Sequence, residues 1–193
     1  MQTYRNFIDS RFSVRQILLE HNHFNDEVKR EHIRGLLVRC AAENAIPIIN
    51  YNDCVSSEEN RKWEIAKLHR EKGDNVVELI DNDETAAQVA CLVRSRMLVI
   101  LTNLDGIYAD IKNPDSLIRE ISGKDAAEVI ANIDEVKKNC VGASRAGANG
   151  AKAKLEYIKP CVENGTKVII ASSRYDLCDI VAEKVPCTVI AAR

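Results

Sequence analysis

The sequence has no apolar stretch near the roughly 20 residues that a membrane-spanning helix requires; runs such as MLVILTNL, from Met97, fall far short. Its first residues, MQTYRNFIDSRF, lack the apolar core of a secretion signal. A cytoplasmic protein without a membrane partner is therefore expected. Charge of one sign is also missing: 27 Lys and Arg against 29 Asp and Glu leave a formal net charge of −2. That balance gives no bulk attraction for nucleic acid or anionic membrane, so partners must be sought at particular sites.

Paired cysteines are absent too. The seven cysteines, at 40, 54, 91, 140, 161, 178 and 187, are odd in number, scattered, and never spaced as C-x-x-C. Neither a zinc site nor a disulfide framework is indicated, and buried or inert thiols are expected. His21, His23, His32 and His69 lie in charged stretches with no matching cysteine or carboxylate spacing. They read as exposed helix residues, and no protein metal site is expected. The chain also carries no internal repeat, no low-complexity tract and no Walker A sequence.

What is present fits one globular domain over 1–193. Hydrophobic residues make up 46% and charged residues 29% of the chain, an ordinary balance for a packed core with a solvated surface. Val28, Ile33, Leu36, Leu37, Cys40 and Ala41 recur at helical spacing, with Asn25 or Asp26 available as cap. This helix leads into IPIIN, which reads as a buried strand entered at Pro47. Further helices are expected near 83–93, 124–138, 150–163 and 175–183, with strands MLVILT (97–102), KVIIAS (167–172) and a last CTVIAA. Apolar strands alternating with helices predict an α/β domain whose mainly parallel sheet is covered on both faces. The charged stretch between Ser56 and Asn75, with Trp63, reads as a solvated helix or insertion.

Ligands of parallel α/β sheets collect at the carboxyl ends of strands, and four clusters sit where such ends or helix starts are expected. IINYND puts Asn50, Asn52 and Asp53 after a strand, although Asn and Asp are turn residues there at least as often as ligands. DNDETAAQVA puts Asp81, Asn82 and Asp83 at a helix start, where one would suffice as a cap and others are left to bind a ligand or orient a cation. LTNLDGIYAD ends a strand at Thr102 and Asn103, and a turn at Asp105-Gly106 accounts for most of it. RAGANGAKAKLEYI leads small residues into a helix carrying Lys152 and Lys154. Such a start exposes N–H groups to phosphate, while a flexible loop and solvated lysines are the plainer reading.

In this order, IINYND, LIDND, ILTNLDGIY and GANGAKAKL resemble the motifs of the amino-acid kinase superfamily, and glutamate 5-kinases within it. The resemblance runs from about Val14 to Arg193 and includes KVIIASSR. It implies an amino-acid kinase-like three-layer sandwich that phosphorylates the side-chain carboxylate of glutamate with ATP and Mg²⁺, in proline biosynthesis. By the same match Asp53, Asn82 and Asn52 bind substrate, and Lys154, Asp83 and Asp81 are catalytic. Thr102, Asn103, Tyr108, Ala148, Asn149, Gly150, Lys152 and Lys154 hold ATP. Phosphoryl transfer between anions needs in-line positioning and positive charge, which lysine, loop N–H groups and Mg²⁺ would supply.

The chain departs from the family pattern at Asn103, where an aspartate is usual, and at Ile80 and Asn149, where glycines are. It also carries extra residues between Asp53 and Asp81. The family's lysine-bearing first strand, glycine-rich phosphate loop and serine-containing substrate loop find no match before Asn25. An N-terminally truncated domain is therefore expected, whose exposed strand edges favour a homo-oligomer or association with a chain supplying that segment. A catalytically degenerate amino-acid-binding or regulatory subunit is the alternative; a uridylate or acetylglutamate kinase fits the asparagine-rich strand end less well.

Overall fold

A computed structural model describes residues 1–52, 58–73, 76–79, 81–139 and 150–193, the side chains of 58–61 excepted. The chain forms two compact units, Met1–Thr85 and Ala86–Arg193.

In the first unit, α1 (Gln2–Phe7) precedes β1 (Ser13–Leu19), α2 (His21–Asn25), α3 (Glu27–Ala42), β2 (Ala45–Tyr51) and α4 (Glu58–Lys72). α3 forms where the apolar spacing predicts it. Asp26 accepts from Lys29 N at 2.9 Å and caps its start, while Ile33, Leu37 and Cys40 are its buried residues. Asn25, the other candidate cap, instead clamps residue 77: its Nδ2 donates to Val77 O at 2.7 Å and its Oδ1 accepts from Val77 N at 3.0 Å. After α3, Asn44 turns the chain with φ of 51°, a left-handed conformation that asparagine tolerates.

β2 pairs in parallel with β1, with Leu19 opposite Tyr51. Strand β1 was not expected, because only Ile17, Leu18 and Leu19 form an apolar run after Arg15 and Gln16. β2 is also less buried than IPIIN suggests. Ile46 to Ile49 are half-buried and only Ala45 and Tyr51 are fully so, because among the described residues this sheet has two strands. The charged stretch is helical as α4, and Trp63 on it is exposed.

α5 (Asn82–Val93) crosses from the first unit into the second. There follow β3 (Met97–Thr102), β4 (Ile107–Tyr108), a 3₁₀ turn, β5 (Leu117–Ile118), β6 (Glu120–Gly123), α6 (Ala126–Asn139), α7 (Gly150–Tyr157), α8 (Lys159–Glu163), β7 (Lys167–Ser172), α9 (Leu177–Val181) and β8 (Cys187–Ala192). Four strands form one sheet in the order β3-β7-β8-β6. β3 with β7 and β6 with β8 are parallel, whereas β7 and β8 run antiparallel.

Period-two alternation gives this sheet two buried faces. Leu98, Ile100, Val168, Ile170 and Ile190 pack with α5, α6, α7 and α8 through Ala87, Ala90, Val129, Ile133 and Leu155. Ile169, Ala171 and Val189 turn the other way, onto Ile180 of α9. Helices, sheet and helix make the three-layer α/β arrangement that the sequence predicts, with a mostly parallel sheet. The helix expected over 150–163 is broken at Ile158. Pro160 lies in the first turn of α8, and proline has no N–H with which to continue the α7 ladder.

The histidines correct an expectation. His32 is exposed, but His21 is only 2% exposed and His69 is half-buried. His21 Nε2 lies 3.0 Å from Glu64 Oε2 and its Nδ1 lies 3.3 Å from the Tyr51 hydroxyl. His69 Nε2 meets Glu78 Oε1 at 2.7 Å. The carboxylate partners come from α4 and the segment after it, too distant in sequence for a spacing rule to find. Among the cysteines, Cys40, Cys161 and Cys187 are buried as expected, while Cys178 is exposed.

Candidate functional site

At the carboxyl ends of β1 and β2 the chain presents polar residues side by side. Asn52 N donates to Leu19 O at 2.9 Å, so pairing continues one residue past β2, and the Asn52 side chain meets Glu20. Asn52 Nδ2 donates to Glu20 Oε1 at 2.7 Å and Asn22 Nδ2 donates to Glu20 Oε2 at 3.2 Å. Glu20 N donates to His23 Nδ1 at 2.9 Å, which requires that nitrogen to be unprotonated. Burial pushes His23 below its ordinary value, against the opposing pull of Glu20. Glu20 and Asn22 were not singled out in the sequence, yet ILLEHN has the same form as IINYND, an apolar run that ends in acid and amide.

The start of α5 brings the second cluster. Asp81 Oδ1 accepts from Glu84 N at 2.8 Å and Asp81 O accepts from Thr85 N at 3.1 Å. Asp81 is therefore the cap of this helix, as capping logic allows for one residue of the three. Asn82 is exposed and Asp83 half-buried in the first turn. Glu84 is buried, and its Oε1 accepts from Glu78 N at 3.2 Å. Ahead of the cap, Leu79 is fully buried with φ of 51°, a left-handed value uncommon for a bulky residue.

In the second unit the carboxyl ends of the parallel strands β3 and β7 lie together, with Ser173 N donating to Thr102 O at 2.9 Å. Thr102 is half-buried and Asn103 exposed at this end. Arg174 Nη2 donates to Asp105 Oδ2 at 2.7 Å and to the Tyr175 hydroxyl at 2.6 Å, tying the two strand-end loops. Burial, and then the Asp105 charge, push the Tyr108 hydroxyl up, so it remains a neutral donor at physiological pH.

Gly150 opens α7 with φ of 63°, a conformation glycine adopts without strain. On α7, Lys152 is exposed at a surface depression with Asp134, Lys137 and Lys138, and Lys154 is half-buried. Lys159 Nζ lies 2.7 Å from Asp134 and 2.9 Å from Glu156, and Lys137 also pairs with Glu156. The Lys159 ammonium holds the Asp134 carboxyl below the usual carboxylate range. Asp53, Ala148 and Asn149 lie outside the described residues.

Residues 3–172 match the model of the amino acid kinase family. The chain belongs to this family, and the match begins ahead of Val14, where the resemblance was expected to start. It is 30% identical over 166 residues to a glutamate 5-kinase of Streptococcus suis, covering 83% of this chain and 39% of that protein. It is 32% identical over 163 residues to a glutamate 5-kinase of Alkaliphilus metalliredigens, covering 83% of this chain and 53% of that one. The chain thus spans about half the length, or less, of these curated relatives. Among solved structures, a carbamate kinase from Giardia lamblia bound to AMP-PNP matches with a TM-score of 0.49 at 21% identity, covering 83% of this chain and 44% of that one.

Proposed function

We propose that this chain is a glutamate 5-kinase-like phosphotransferase domain, or part of one, spanning 1–193, which moves the γ-phosphate of ATP to the side-chain carboxylate of glutamate. The observation that carries this reading is the ordered motif set. IINYND, LIDND, ILTNLDGIY and GANGAKAKL occur in the order expected of glutamate 5-kinases, within a chain about 30% identical to those enzymes over most of its length.

In this reading Asn52, Asp53 and Asn82 hold the amino acid. An ionised carboxylate accepts from an ammonium, and an amide can donate to a carboxylate. Asp81 fixes the start of α5, and Asp83 matches the family aspartate that orients the catalytic lysines. Lys154 supplies a point charge to the transferring phosphoryl group. Thr102, Asn103, Tyr108, Lys152 and the 148–150 segment match the family's ATP-binding positions and would hold the nucleotide. The attacking carboxylate oxygen forms the new P–O bond as the bond to the β-phosphate oxygen breaks, and catalysis rests on alignment and charge. Among the described residues no group of three or more His, Cys, Asp or Glu could hold a metal ion. Mg²⁺ would enter on the ATP phosphates, as this ion commonly does.

The experiment is an assay with ATP, Mg²⁺ and L-glutamate, trapping the acyl phosphate with hydroxylamine. Hydroxamate formation that disappears in Lys154→Ala supports the kinase; its absence under all conditions, including addition of a segment supplied in trans, defeats it. A second reading is an amino-acid-binding subunit without turnover, favoured by Asn103, Ile80 and Asn149 in place of family residues. Glutamate or proline binding by calorimetry, with no ATP consumed, would select it.

A further inference from the structure

We infer that Glu20 anchors an ammonium-recognising subsite at the carboxyl ends of β1 and β2, formed with Asn22 and Asn52, in which Glu20 is the residue that sets the two amides. The inference extends the amino-acid-binding reading above and rests on it for the identity of the natural ligand.

Its basis is an asymmetry of hydrogen bonding. Ionised Glu20 can only accept, and each of its oxygens takes one amide N–H, Oε1 from Asn52 at 2.7 Å and Oε2 from Asn22 at 3.2 Å. Rotating either amide by half a turn would bring a carbonyl oxygen against the carboxylate, so both orientations are determined by Glu20. Each amide therefore turns its carbonyl oxygen away from Glu20. For Asn22 that oxygen is buried and has no hydrogen-bond partner among the described residues. Buried acceptors without partners are uncommon in folded chains and call for a donor from outside.

The surroundings decide what the donor is. Two amide carbonyls and one carboxylate make the cluster electronegative. His23, whose Nδ1 accepts from Glu20 N, adds no proton on that nitrogen. His21, the other nearby imidazole, is turned to Glu64 and Tyr51. A carboxylate or phosphate would be repelled here, whereas a primary ammonium brings three donors and a compensating charge. The α-ammonium group of an amino acid has this chemistry, as does a simple alkylammonium ion.

The test uses the full chain labelled with nitrogen-15. Titration with methylammonium should shift the side-chain amide resonances of Asn22 and Asn52, while tetramethylammonium, which has charge but no N–H, should not. Glu20→Gln should abolish the methylammonium response with the backbone spectrum otherwise retained. Its side chain keeps one accepting oxygen and sets an NH2 donor where the second carboxylate oxygen stood. Unshifted Asn22 and Asn52 resonances in the wild type, or an undiminished response in a folded Glu20→Gln chain, would overturn the subsite.

Calorimetry with L-glutamate and with glutarate, its analogue without the ammonium, addresses the natural ligand. Glu20→Gln should weaken glutamate about tenfold or more and leave glutarate unchanged. A methylammonium response without glutamate binding would defeat the glutamate reading and leave the subsite standing; glutamate binding indifferent to Glu20 would do the reverse.

Discussion

Gly106 and Thr188 approach so closely that a β-carbon on Gly106 would lie 2.4 Å from Thr188 Oγ1 and 2.9 Å from its backbone nitrogen. Thr188 is fully buried, accepts from Ile107 N at 2.8 Å and donates to Ile118 O at 2.6 Å. One hydroxyl on β8 thus holds the start of β4 and the end of β5. The glycine of the Asp-Gly pair is required by this approach, since its φ is not among the positive ones.

Gly106→Ala is therefore expected to destabilise the protein by about 1–3 kcal/mol through overpacking. Thr188→Val should cost about 1–3 kcal/mol by leaving a buried N–H and a buried carbonyl without their partner. Thr188→Ser, which keeps the hydroxyl, should be milder. Urea denaturation of the three variants checks the order.

Asp81 and Asp83 should separate by their effects. Asp81→Ala removes the cap of α5 and is expected to cost about 0.5–2 kcal/mol, whereas Asp81→Asn, an equally good cap, should retain stability. Asp83→Asn should abolish hydroxamate formation in a chain that keeps its folded circular-dichroism spectrum. Loss of turnover in a stable Asp81→Asn chain would show that Asp81 acts in chemistry as well as in capping.

Stability should fall on mild acidification through His23. Its folded-state pKa is lowered by burial, so below the ordinary imidazole value of about 6.5 the unfolded chain takes up the proton more readily. The stabilisation is complete above that pH and is lost as pH falls toward the folded pKa, where protonation also breaks the bond from Glu20 N. His23→Asn, which can keep an acceptor at that place, should show a shallower decline of the melting temperature between pH 7 and 5, measured by circular dichroism.

Cys91 on α5 and Cys161 on α8 have their sulfurs 3.3 Å apart. The contact with Cys91 and then burial push the Cys161 thiol up, so Cys161 should resist alkylation while exposed Cys178 reacts first. An azodicarboxamide oxidant should take two protons and two electrons from the Cys91–Cys161 pair and leave a disulfide. Peptide mass spectrometry should find this link in oxidised wild type and not in Cys91→Ser.

Continuous apolar runs made β3, β7 and β8 legible. The period and cap of α3, and the acidic start of α5, were equally visible, because they depend on neighbours within a few positions. The ends of these elements held the candidate residues Asn52, Asn82, Asp83, Thr102 and Asn103, and the order of their motifs pointed to the family. β1 and β6 were hidden because each mixes a brief apolar run with polar residues that a partner strand tolerates.

Other features depend on contacts between residues far apart in the chain. His21 reads as one more polar residue in a charged helix until Glu64 and Tyr51 are brought to its ring. Glu20 is an ordinary acid until parallel pairing of β1 with β2 sets Asn52 beside it. Gly106 looks like a turn residue until β8 places Thr188 against its α-carbon. Periodicity, capping and motif order are local and were determined by the sequence itself; burial, amide orientation and close approach were decided only by the tertiary structure, because they are properties of pairs that strand register brings together.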